Sequence, residues 1–169
     1  MNPITLTALK SFPELLEAHY SAIPAEYKHW APPSWAGVPS EPLTAIEQVC
    51  HVRDIEIDGY HARFHLVLTE VNPTLAPIDT GALARERSYG SSDAALALAA
   101  FRRARSETVE LIAGLAPEQF RRTAVFEGYG LVSLSSLVHY LCSHDQQHLA
   151  GLQWLLGKIE ASRVRVSGR

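Results

Sequence analysis

Two histidines near the C-terminal end of the chain, His144 and His148, stand four residues apart in the sequence Ser-His-Asp-Gln-Gln-His-Leu. The surrounding residues predict a helix, and positions i and i+4 of a helix lie one above the other on the same face. Neutral imidazole offers a lone pair and is the commonest metal ligand near neutral pH. A third histidine, His51, lies far upstream in another predicted helix. One imidazole from a facing helix would complete a three-nitrogen metal site with positions open for water or substrate.

The residues around this histidine pair indicate that both rings point into the core. Apolar residues at spacings of three and four share one face of the predicted helix with the pair: Leu134, Leu137, Leu141, Leu152 and Leu155. A buried imidazole needs a partner for each ring nitrogen, and a shared cation would satisfy two stacked rings at once. The inward face is less clear for His51, because its predicted helix carries apolar residues around most of its circumference.

Other residues with metal-binding chemistry are weaker candidates. His61 and His65 are also four residues apart, but no inward stripe includes both, so we expect a solvent-exposed pair. Cys50 and Cys142 lie close to the candidate ligands in sequence, yet neighbours one and two positions apart on a helix point in different directions. We expect both cysteines to be buried thiols of a protein in the reducing cytoplasm.

The elements that must position these side chains are four long helices. Amphipathic periodicity, capping residues and proline breaks predict their bounds as 11–22, 43–69, 92–115 and 134–162. The proline-rich segment 30–42 is predicted to be irregular, and 121–130 to be extended or a turn. This pattern predicts an all-α four-helix bundle in one domain, residues 1–169, in which long connections cross over between helices.

Composition excludes several classes of function. The chain has 169 residues, 47% of them hydrophobic and 20% charged, with a formal net charge of −3, which is typical of a globular domain. No basic stripe is present, so nucleic acid is not an expected partner. No apolar run approaches the ~20 residues that span a bilayer, and the N-terminus lacks signal-peptide features, so we expect no membrane association and a cytoplasmic location.

The order of these motifs resembles one known family. A tryptophan-bearing loop precedes His51-Val-Arg-Asp-Ile-Glu56, a third helix carries Phe101-Arg-Arg-Ala-Arg105, and the last helix carries His144-Asp-Gln-Gln-His148-Leu. This arrangement, from about residue 11 to residue 158, is similar to the DinB/YfiT-like superfamily. The resemblance implies a four-helix bundle with a long connection between helices two and three, often as a homodimer. It also implies that His51, His144 and His148 bind one divalent metal ion.

The resemblance leaves the reaction open, because members of that family differ in activity. Some are thiol transferases that use bacillithiol, mycothiol or glutathione, others have been assigned as metal-dependent hydrolases, and many have no known activity. Our first hypothesis is a transferase in which the metal activates a small thiol for attack on an electrophile. The alternatives are a hydrolase that uses a metal-bound hydroxide, and a non-enzymatic, metal-stabilised binding module. Imidazole ligands suit zinc, nickel or iron, so the metal is not identified.

Several residues could support such a site. Asp54 and Asp145, each close to a candidate ligand, could accept hydrogen bonds from the ligand rings. Tyr129, in the turn before the last helix, could line the mouth of the site. Three arginines of the third helix could bind a carboxylate of the thiol or its acceptor: Arg102, Arg103 and Arg105.

Overall fold

The computed structural model of the protein describes residues 2–167, with side chains described up to residue 164. Its helices and strands follow in chain order: α1 Pro3–Ala22, α2 Ala45–Asp54, a π-helix Ile55–His61, α3 Ala62–Thr69, β1 Thr74–Leu75, α4 Thr80–Glu86, α5 Ala94–Gly114, β2 Thr123–Phe126, β3 Gly130–Ser133 and α6 Leu134–Ser167. Helices α2 and α3 continue each other through the π-helix, so four long helical segments form a bundle. The predicted all-α four-helix bundle is confirmed.

Capping residues explain where the long helices begin. Asn2 accepts a hydrogen bond from the backbone N–H of Ile4 at 2.9 Å and precedes Pro3, so α1 begins at Pro3 rather than at the predicted residue 11. Thr44 and Glu47 form a capping box at the start of α2, in which Glu47 accepts a hydrogen bond from the Thr44 backbone at 2.8 Å. These caps satisfy backbone donors that would otherwise have no partner.

The π-helix between α2 and α3 changes which residues face the core. His51 and Ile55 are four positions apart, the next inward side chain is Tyr60 five positions later, and Phe64 follows after four. An uninterrupted α-helix would place Gly59 on this stripe instead of Tyr60. The wider π turn therefore keeps the aromatic residues on the same face as His51, which sequence periodicity alone did not show.

A small sheet was not predicted from the sequence. Strand β1 pairs in parallel with β2, and β2 pairs with β3 in an antiparallel hairpin. Gly128 and Gly130 have φ values of +84° and +78° in the hairpin turn, a conformation that glycine adopts without strain. The two- and four-residue strands are too short to show a clear alternation of apolar residues, and the short helix α4 was missed for a similar reason.

Helices α2 and α6 run antiparallel, which brings the two halves of the candidate site together. Gln48 contacts His148, and His51, one turn later on α2, contacts His144, one turn earlier on α6. The segment 30–42 is irregular, as predicted, and is fixed to α6 by Trp35, whose ring stacks on Trp154 with centroids 5.9 Å apart. Within the described residues, no helix has the length and apolar character needed to cross a membrane.

Candidate metal centre

The structure brings the three sequence-predicted histidines to one point between α2 and α6. The Nε2 atom of His144 lies 3.0 Å from Nε2 of His51 and 3.2 Å from Nε2 of His148. His51 and His148 are buried, and His144 is half-buried at the edge of the bundle. All three side chains therefore present the same ring nitrogen to a shared space.

A fourth side chain, that of Glu41, was not predicted and reaches this space from the irregular segment before α2. Its Oε2 atom lies 3.3 Å from His148 Nε2, and its Oε1 atom lies 3.8 Å from His51 Nε2. The ligand atoms of the four residues all lie within 4.8 Å of one another. No sequence signal indicated Glu41, because an irregular segment has no periodicity that shows where a side chain points.

The polar atoms of this cluster suit a cation better than they suit one another. A neutral ring nitrogen carries either one proton or one lone pair, so His144 Nε2 can satisfy only one of its two histidine neighbours. Among the described residues, Glu41 Oε2 is a buried oxygen without a hydrogen-bond partner, although it lies 3.3 Å from His148 Nε2. Ligands at 2.0–2.1 Å around a tetrahedral ion are separated by about 3.4 Å, close to the distances observed here.

Burial and mutual proximity leave these groups in the protonation states that a metal requires. Burial, with the neighbouring His148 ring, lowers the pKa of His51 to about 4, and the same causes hold the pKa of His144 well below its ordinary value. The proximity of the His148 ring, opposed by burial, lowers the pKa of Glu41 to about 2. At neutral pH the rings of His51 and His144 are thus unprotonated and the carboxylate of Glu41 is ionised, as metal binding requires.

Gln48, on the first turn of α2, orients the ring of His148. Its Oε1 atom lies 3.0 Å from His148 Nδ1, and the side chain is fully buried. The Gln48 amide donates to the Leu43 carbonyl at 3.4 Å, and Ser40 Oγ donates to Gln48 Oε1 at 3.4 Å, which fixes Oε1 as the acceptor facing the ring. His148 Nδ1 therefore carries the proton, and the lone pair of Nε2 points into the cluster.

The predicted orienting role of Asp54 and Asp145 is wrong. Asp145 accepts two hydrogen bonds from Arg105, at 2.6 and 2.9 Å. Asp54 is bound by Arg53 and accepts a hydrogen bond from the Tyr89 hydroxyl at 2.7 Å. Both carboxylates are thus occupied by arginine and tyrosine partners, and within the described part of the chain neither has a hydrogen bond to a ligand ring.

Other sequence-based expectations are also corrected. Arg105 is not available to a substrate, because it is 1% exposed and bound by Glu56 and Asp145. His65 is exposed as expected, but His61 is half-buried and lies 2.9 Å from the Thr108 hydroxyl, so the two do not form a solvated pair. Arg102 pairs with Glu17 on the surface, and Arg103 is exposed. Cys50 is buried, as expected, whereas Cys142 is only half-buried.

Gly151, on the turn of α6 after His148, makes room for the side chains that orient the cluster. A Cβ atom at this position would lie 2.3 Å from Ser40 Oγ and 2.6 Å from Gln48 Oε1. The amide of Gln48 is buried and bonded to His148, so it cannot move aside without losing that contact. The close approach of the irregular segment to α6 thus depends on a glycine.

We expect Gly151→Ala to weaken zinc binding about 10- to 100-fold, the usual effect of losing an outer partner of a ligand histidine. Calorimetric titration of the zinc-free protein measures the change. Gly157→Ala, six residues farther along the same helix with no atom within 4 Å of the added carbon, is the matched control and should leave affinity unchanged. Equal affinities for the two variants would show that Gln48 does not position His148.

Comparisons with known proteins agree with this fold. A model of the DinB superfamily matches residues 8–152. The solved structure of YfiT from Bacillus subtilis, described as a probable metal-dependent hydrolase with an unusual four-helix bundle topology, is similar with a TM-score of 0.82 and 20% sequence identity. The match covers 95% of this chain and 90% of YfiT, and at this identity it establishes the fold alone. A comparison with curated proteins gives no match.

Proposed function

The chain belongs to the DinB superfamily, and from this premise we propose that it is a metal-dependent hydrolase whose divalent ion is held by His51, His144 and His148. The observation that carries the proposal is the Glu41 carboxylate, which shares the space between the three imidazoles and has one buried oxygen without a hydrogen-bond partner. The description of YfiT as a probable metal-dependent hydrolase supports the same class of activity.

A bound divalent ion would polarise a substrate carbonyl and lower the pKa of water, and the imidazole ligands suit zinc, nickel or iron. The half-buried edge at His144 and Glu41 gives water and substrate access, since the Glu41 side chain is 40% exposed. The buried faces of His51 and His148 hold the opposite side of the site rigid. The site thus combines a fixed set of nitrogen ligands with one open side.

Glu41 is the proposed general base. The carboxylate is ionised at neutral pH, and because a bound metal would lower the pKa of the attacking water, Glu41 can accept a proton from that water as it attacks an ester or amide carbonyl carbon. The bond from that carbon to the leaving oxygen or nitrogen then breaks, and Glu41 returns the proton to the leaving group. Water supplies both the new C–O bond and the proton, so the reaction balances without a further reagent.

Glu41 also favours hydrolysis over thiol transfer, which was our first hypothesis from sequence. A thiol is deprotonated outright on binding a metal, whereas a metal-bound water retains its proton up to a pKa of about 7 and is assisted by a carboxylate that can accept that proton. If Glu41 instead closed the site as a fourth protein ligand, the centre would be structural, as in the binding-module alternative. The three possibilities differ in what Glu41 does and can be separated by changing it.

The test is Glu41→Gln in the full-length protein, after elemental analysis has identified the bound metal. We expect kcat for ester or amide hydrolysis to fall about 100-fold, with metal content retained, because a neutral amide cannot accept the proton. Glu86→Gln, an exposed glutamate of α4, is the control and should be fully active. Turnover that requires an added thiol would favour the transferase; loss of the metal together with inactivity of the unaltered protein would favour the binding module.

A further inference from the structure

We propose that Tyr129 and Tyr140 form a ledge that binds an aromatic group of the substrate beside the metal centre. The proposal rests on the proposed hydrolase and specifies its substrate as an ester or amide that carries an aromatic ring next to the scissile carbonyl. Two independent features of the structure carry it, namely the side on which the centre opens and the aromatic stack found there.

The first feature is the direction in which the centre opens. Along α6 toward its N-terminus, three residues succeed one another at intervals of four: His148, His144 and Tyr140. Each of these positions is rotated about 40° around the helix axis from the one before it, in the same direction. Exposure increases in that order, because His148 is buried, His144 is half-buried and Tyr140 is 37% exposed. Tyr140 therefore stands on the open side of the centre, about 6 Å along the helix from His144. Helical side chains lean toward the N-terminus, so the His144 ring leans toward the turn that carries Tyr140.

The second feature is a stack of aromatic rings that extends outward from Tyr140. The Tyr129 ring lies 5.1 Å from the Tyr140 ring and stacks on Phe126, with centroids 4.7 Å apart and an angle of 14° between the ring planes. Phe126 is buried and lies beneath the guanidinium of Arg63 at 4.6 Å, so the inner end of the stack is fixed. Tyr129 is nevertheless 62% exposed. The ledge is thus an ordered aromatic surface with one side free.

The composition of this corner is that of a small-molecule site. Ligand sites combine apolar and aromatic walls with a few polar groups, and here the ledge begins one turn of α6 from His144. A substrate ring placed on Tyr129 and Tyr140 would gain stacking contacts that an alkyl group lacks. The opposite face of the hairpin carries the exposed residue Leu131, which pairs with Val125 and points away from Phe126, so that face does not continue into the centre.

The experiment compares two probes that share a metal-binding group, benzohydroxamate and acetohydroxamate, on the full-length protein loaded with zinc. Calorimetry should give a tighter Kd for benzohydroxamate. Tyr129→Ala should weaken benzohydroxamate about 3- to 10-fold, the range expected for one aromatic pair, and leave acetohydroxamate unchanged. Tyr129→Phe should retain the preference. Leu131→Ala, a similarly exposed residue on the opposite face of the same hairpin, is the matched control and should behave like the unaltered protein.

The outcomes separate this proposal from the proposed function. Equal affinity for the two hydroxamates, or the same loss in Leu131→Ala as in Tyr129→Ala, overturns the ledge while the metal centre stands. If Tyr129→Ala keeps the preference for benzohydroxamate over acetohydroxamate but dissociates a dimer, the ledge is a contact between copies of the chain. That result also overturns the proposal. Failure of the protein to bind zinc overturns both the hydrolase and the ledge.

Discussion

Replacement of Arg105 by leucine should lower the free energy of unfolding by about 3–5 kcal/mol, the usual cost of removing one partner from a buried ion pair. Arg105 donates to both oxygens of Glu56 at 2.9 Å and to both oxygens of Asp145 at 2.6 and 2.9 Å. All three residues are at most 1% exposed. Without the guanidinium, two buried carboxyl groups lose both their counter-charge and their hydrogen-bond donor.

This deficit should depend on pH in a defined direction. Even with Arg105 opposing it, burial raises the pKa of Asp145 to about 7, and loss of the arginine would raise it further. The folded variant would then hold a proton that the unfolded chain releases above a pH of about 4, so stability falls as pH rises. Urea unfolding should therefore show that Arg105→Leu loses more free energy of unfolding, relative to the unaltered protein, at pH 8 than at pH 5.

The control is Arg103→Leu, an exposed neighbour on α5, which should change stability by less than about 0.5 kcal/mol. A similar small change for Arg105→Leu would mean that the buried triad contributes little to the fold.

Replacement of His148 by alanine should reduce zinc affinity by between about 10² and 10³. Zinc binds to protein sites with roughly 10–16 kcal/mol, so in a tetrahedral centre of three imidazoles and one water each ligand accounts for about 3–4 kcal/mol, which corresponds to that range. His148 is central to the cluster, because its Nε2 atom lies 3.2 Å from His144 Nε2 and 3.3 Å from Glu41 Oε2. The measurement is competition for zinc against a chelator of known affinity.

The control for this variant is His29→Ala, which removes an exposed imidazole outside the cluster and should leave zinc affinity unchanged. Thermal unfolding of the zinc-free proteins shows whether His148→Ala still folds. Unchanged zinc affinity in a folded His148→Ala protein would exclude this cluster as the metal site.

The long helices and the histidine pair could be predicted from sequence because both depend on local periodicity. His144 and His148 share a stripe with apolar residues, and a stripe shows which face is buried without any knowledge of the partner helix. His51 was placed by resemblance rather than by its own periodicity, and the π-helix after it explains the difficulty. A stripe that advances by five residues between Ile55 and Tyr60 does not match the regular helical period.

The residues that sequence analysis missed are those whose role depends on contacts between distant segments. Glu41 lies in an irregular segment, and Gln48 resembles any polar residue on the first turn of a helix until the packing of α6 is known. Arg105 was expected to be available to a substrate carboxylate because a charged side chain is rarely buried, and only the presence of Glu56 and Asp145 opposite it reverses that expectation.

The candidate centre joins parts of the chain that are far apart in sequence, and this has a consequence for the order of folding. His51 and His144 are 93 residues apart although their ring nitrogens are 3.0 Å apart. Closing a loop of that length costs about 4 kcal/mol of chain entropy, which local contacts within each helix avoid. The helices can therefore form before the centre exists, and the ring nitrogen of His51 meets those of His144 and His148 only when α2 and α6 dock. A cation that binds there would select the completed fold over every partly folded state, and it would slow unfolding more than it accelerates folding.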